Sequence, residues 1–162
     1  WTYLHKYRAK PYPEFVGQFN QHIERIREQA LARSRVQKLI PHDTQIIEYA
    51  LLSDRLLIWL ISDKVFTLHS VPVSRSALEN QVQQALQRLR AGESAASLLD
   101  ELSKVLIEPV VDVLDPAGTI AIIPDRALHG LPFPSLHRPG RTDYLIQNFT
   151  MIVSPTLTHL LA

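Results

Sequence analysis

Three apolar stretches follow one another with almost no spacing: QIIEYALL, RLLIWLIS and VFTLHSVPV, separated only by SD and DK. Two-residue gaps between apolar runs suit tight hairpins, so the segment reads as an antiparallel meander. The middle run is apolar at every position from Leu56 to Ile61, the pattern of a central strand covered on both faces. Trp59 is then a core residue rather than a platform for a ligand. In the third run Val65, Thr67, His69 and Val71 alternate onto one face, and Pro72 marks the point where the strand leaves the ladder. A sheet buried on both faces requires helices on each side, and the rest of the chain must supply them.

The supply is visible as helical spacing. After KPYP, Phe15, Phe19, Ile23, Ile26 and Ala30 recur at three and four residues, predicting a long amphipathic helix over 13–37, stopped near Pro41. Ser74 or Ser76 caps a helix whose stripe is Leu78, Val82, Ala85, Leu86 and Leu89, closed by Gly92. Ser94 opens another with Leu98, Leu102, Val105 and Leu106 inward, continued past Pro109 through Val110, Val113 and Leu114. Thr119 to Ile123 form a short buried strand. DYLIQNFTMIVSP suggests one or two further strands, and Ser154-Pro155 starts a helix. Helix, three strands, two helices, strand, loop, strand and helix make an α/β plan with a mixed sheet, an antiparallel meander, flanking helices and an N-terminal long helix.

Composition narrows the chemistry. The 162 residues include no cysteine, which excludes disulfides, cysteine-based metal sites and a thiol nucleophile within this chain. The apolar runs are too short to cross a bilayer, so no membrane role is expected and a cytoplasmic location is the default. The net charge of +1 hides an asymmetry, because residues 1–40 hold eight Lys/Arg against three Asp/Glu. Arg25, Arg27, Arg33, Arg35 and Lys38 lack interleaved aromatics, so they read as a solvated helix face and nucleic acid is not an expected partner. The seven histidines show no metal-ligand spacing, and no Gly-x-Gly loop is present to hold a phosphate. Neither a metal nor a cofactor is expected. The chain begins with Trp1 and ends within a helical pattern, so it reads as a piece of something longer.

The stretch TIAIIPDRALHGLPFPSL gathers an Asp, a His-Gly pair and three prolines behind a strand. Its residues Pro124, Asp125, Leu128, His129, Leu131, Pro132, Phe133 and Leu136 read as a structural corner. Asp125 is expected to accept hydrogen bonds from the turn it begins. The prolines fix backbone angles around Phe133, and the apolar residues plug the loop onto the core. A triad of Asp125, His129 and Ser135 has no Gly-x-Ser-x-Gly elbow behind it, so an independent serine hydrolase is disfavoured. No catalytic residue is assigned.

The same run, with LIEPVVDVL before it and YLIQNFTMIVSPTLTHLL after it, resembles the N-terminal portion of a CHAT domain, the caspase-like domain often found after tetratricopeptide repeats. The resemblance extends over about 41–162 and implies a caspase-like α/β fold of the caspase–separase cysteine-peptidase kind. It leaves residues 1–40 as a linker or the end of a helical repeat array. It further implies that the catalytic His-Gly and Cys lie beyond this segment, with His129 in the Leu-His and Leu-Pro-Phe region that precedes them. The chain is then a non-catalytic N-terminal half, inactive alone, whose partners are the catalytic half of the domain and upstream helical repeats or another protein. The alternative is a pseudo-protease remnant acting as a regulatory or interaction module.

Overall fold

The computed structural model of the chain describes residues 33–138, 141 and 143–161. Its centre is one sheet of five strands: β1 (Thr44–Leu51), β2 (Arg55–Ile61), β3 (Phe66–Pro72), β4 (Thr119–Ile123) and β5 (Thr150–Val153). The spatial order is β3-β2-β1-β4-β5. The first three strands form the antiparallel meander that their spacing predicts. β4 then pairs parallel to β1, with Ile46 opposite Ala121, and β5 pairs parallel to β4. The sheet is therefore mixed, as the element order implies.

Helices and turns cover the two faces unequally. On the first face lie α2 (Arg75–Arg90) and α3 (Ala96–Leu106), followed by the segment leading from β4 to β5. Period-two alternation sends Ile47, Tyr49 and Leu51 of β1, Leu56, Ile58 and Leu60 of β2, and Ile120 and Ile122 of β4 to this side. They meet Leu78, Val82 and Ala85 of α2, and Leu99, Leu102 and Leu106 of α3. The second face is covered by α1 (Arg33–Leu39) and the one-turn helix α5 (Leu157–Leu160). There Val36, Ile40 and Leu157 pack on Ile46, Ala50, Trp59, Ile61, Ala121 and Ile123. Of the helix predicted over 13–37, all but the last turns falls outside the described residues.

The caps show where local chemistry settles helix ends. Ser74 is the N-cap of α2, its side chain accepting the Ala77 N–H at 3.1 Å. At the other end Gly92, with φ +70°, donates to the Leu89 carbonyl while Glu93 donates to that of Arg88, the paired bonds of a Schellman motif. Three expectations differ. Ala95, not Ser94, stands at the N-cap of α3, without a side-chain cap. α3 stops at Leu106, and Val111–Val113 form a separate 3-10 turn because Pro109 has no N–H to continue the ladder. The last helix is capped by Thr156, which accepts the His159 N–H at 3.2 Å, while the Ser154 hydroxyl donates to the Thr156 carbonyl. Before β5, Leu145–Asn148 form a short helix, α4, and β5 is the strand expected from DYLIQNFTMIVSP.

Candidate functional site

The corner that the sequence singles out leaves the carboxyl end of β4, next to the carboxyl end of β1. In open α/β sheets, ligand and catalytic groups gather at this edge of the strands. Pro124 is buried as the chain leaves the sheet, and Asp125 is half-buried behind it. The Asp125 carboxylate reaches across to β1, where Oδ2 accepts the Leu51 N–H at 2.8 Å. Its side chain does not cap the following turn, contrary to the expectation; only its backbone carbonyl does so, accepting from Leu128 at 3.0 Å. The reason is register. β1 ends opposite the start of the corner, leaving the Leu51 N–H within reach of a carboxylate two residues past the end of the neighbouring parallel strand.

Two 3-10 turns, Arg126–Gly130 and Phe133–Ser135, then fold the chain back over the first face. Leu128, Leu131, Phe133 and Leu136 are all buried. The Phe133 ring lies 5.5 Å from that of Tyr49, whose hydroxyl donates to the Leu106 carbonyl at 2.9 Å. Burial pushes the Tyr49 phenol far above its ordinary range, so it is a permanent donor. Pro132 and Pro134 are half-buried between these plugs, and the His129 ring is exposed. Ser135 lies in the second turn, its N–H given to the Pro132 carbonyl at 2.8 Å.

Arg126 is the conformational exception. Its φ is +51°, the left-handed region, where a side chain costs energy that glycine avoids. Its side chain is exposed beside the Asp125 anchor, at the carboxyl edge of the parallel strands. Sequence reasoning passed over Arg126, since a positive φ at a non-glycine residue leaves no local signal.

A second cluster also escaped the sequence. Where the corner ends, His137 Nδ1 pairs with Asp100 Oδ1 of α3 at 2.8 Å, and its ring stacks on Tyr144 with centroids 4.7 Å apart. The His137 N–H donates to the Ser103 hydroxyl at 3.0 Å, and that hydroxyl donates to the Leu99 carbonyl at 2.7 Å. These contacts staple the segment to α3. Nearby, the Asn148 amide donates to the Asp143 carboxylate and holds it below the usual carboxylate range.

Among the described residues no group of three or more His, Cys, Asp or Glu is placed to hold a metal. No helix of the described residues is long and apolar enough to cross a membrane. No curated protein matches the chain. A family model, that of the CHAT domain, matches residues 96–162, which run from α3 through the corner and β5 to the end of the chain. The matched stretch is shorter than the 41–162 of the resemblance, and the meander lies before it, although both share one sheet. Residues 96–162 are thus similar to a CHAT domain, and in this chain they complete a mixed α/β sheet.

Proposed function

We propose that this chain is the non-catalytic N-terminal part of a CHAT-type caspase-like protease, scaffolding a catalytic half and coupling it to an upstream sensor. The observation that carries the reading is a CHAT match over residues 96–162 in a chain without cysteine. A peptidase of that kind needs a thiolate nucleophile and a base to activate it, and this chain holds no thiol. What it offers is a parallel core whose carboxyl edge is fixed by the Asp125 anchor and the apolar plugs of the corner. β5 stands last in the strand order, and its outer side is where a further parallel strand extends such a sheet.

In this role the corner is a positioning element. It sets the height of the β4 carboxyl end against β1, and so the floor on which a neighbouring dyad and substrate groove rest. The test is to express the chain alone and joined to the downstream half that carries the dyad. The expected result is peptidase activity only in the joined form, lost when the downstream cysteine becomes alanine. A joined form that stays inert on every candidate protein substrate overturns the reading.

A further inference from the structure

β3 ends the sheet on the side opposite β5. The bonds at the two ends of its pairing with β2 set which way its backbone groups turn. The Ser62 N–H donates to the Val65 carbonyl at 2.8 Å, and the Val73 N–H donates to the Asp54 carbonyl at 3.2 Å. Between them the register runs without a bulge, from Ile61 opposite Phe66 to Arg55 opposite Pro72. Bonded positions alternate in an antiparallel pair, so Thr67, His69 and Val71 turn their backbone groups to β2, while Leu68 and Ser70 turn theirs outward. Among the described residues nothing hydrogen-bonds to Leu68 or Ser70 on that side. Both side chains are exposed, that of Leu68 by 54%.

An edge of this kind takes up another strand unless its sequence blunts it. The usual devices are charged side chains, an early proline, a bulge or a very short strand. β3 has none of them: its seven residues, FTLHSVP, hold no Lys, Arg, Asp or Glu, and the proline comes last.

We propose that β3 pairs antiparallel with β3 of a second copy of this chain, across a two-fold axis at His69, joining two five-stranded sheets into one. Two properties select a second copy as the occupant. The outward groups are self-complementary, because Leu68 and Ser70 flank His69. Reversing the strand about that residue sets Leu68 of each copy against Ser70 of the other, and each such pair exchanges two N–H···O bonds. Charge is the second property. A two-fold pairing sets a strand against its own residues, so like charges in it would oppose one another, and a strand free of Lys, Arg, Asp and Glu meets no such penalty. A strand built for a charged foreign segment would carry the complementary charge, and β3 offers none. β5 lies at the far edge, so the dimer leaves that edge open.

Sedimentation of the full chain at rising concentration tests this. The wild type is expected to pass from the mass of one chain to that of two. Ser70→Pro removes an outward N–H without touching the ladder to β2, and Leu68→Lys places a charge on the edge. Each should hold the protein at the mass of one chain with an unchanged far-UV circular dichroism spectrum. Ile152→Lys, at an exposed position on β5, should dimerise as the wild type does. A wild type that stays monomeric to its highest soluble concentration, a dimer that survives Ser70→Pro and Leu68→Lys, or one lost in Ile152→Lys overturns the proposal. A second measurement needs no variant. Amide hydrogen exchange at Leu68 and Ser70 should slow as the wild-type concentration rises, and exchange independent of concentration overturns the proposal equally.

Discussion

The Asp125 carboxylate accepts the backbone N–H of Leu51 at 2.8 Å and so joins the carboxyl ends of two parallel strands. Parallel pairing leaves such terminal N–H groups without a ladder partner, and a carboxylate supplies a charge-assisted one. Replacing Asp125 with alanine strands the Leu51 donor and should cost about 1–3 kcal/mol of unfolding free energy. Asparagine keeps an acceptor oxygen and should lose less. Urea unfolding of the two variants checks this, and equal losses would show that the acceptor is not what matters.

At Arg126 the backbone rather than the side chain sets the expectation. With φ at +51°, glycine relieves the strain but adds freedom to the unfolded chain, so Arg126→Gly should gain about 1 kcal/mol or less. Arg126→Val should destabilise, because a β-branched side chain is least tolerated there. The comparison of their melting temperatures is the measurement, and a valine variant as stable as wild type would contradict it.

Gly118 makes the sharpest steric prediction. A Cβ at this position would stand 2.6 Å from the Asp43 carbonyl oxygen, which also accepts the Thr119 N–H at 2.7 Å to open the β1–β4 pairing. The Asp43 carbonyl is backbone and cannot swing aside. Gly118→Ala should therefore destabilise by about 1–3 kcal/mol, visible as a lower urea midpoint with an unchanged slope.

Acid stability should report the contact between His42 Nδ1 and Asp63 Oδ2, 2.6 Å long. The hydrogen bond from His42, and then the charge of Lys64, hold the Asp63 carboxyl below its ordinary value. A carboxyl lowered in the folded state adds stability above its unfolded pKa of about 4, lost as pH falls toward the folded value. His42→Ala should flatten the fall in melting temperature below about pH 4. An identical acid limb in wild type and variant would remove this contact from the account.

Much of the fold is legible because its determinants are local. The two-residue gaps and alternating apolar residues define the meander from Thr44 to Pro72, and Ser74 and Gly92 mark the ends of α2 by bonds spanning three to five residues. Local signals misled where two groups competed for one role, as when Thr156 rather than Ser154 capped the last helix. The corner's buried leucines and Phe133 are equally readable, since prolines between large apolar residues leave few ways to turn.

The sequence by itself determined the strand meander, the helix stripes and the absence of a thiol, because each depends on residue type and on neighbours a few positions apart. Only the tertiary structure decided that β4 lies parallel to β1, that Asp125 serves Leu51 instead of its own turn, and that His137 meets Asp100. It alone put Glu48 opposite Trp59 inside a covered face. These pairings join residues far apart in the chain, and their partners are selected by the packing of the whole sheet, which leaves no periodic trace in the sequence.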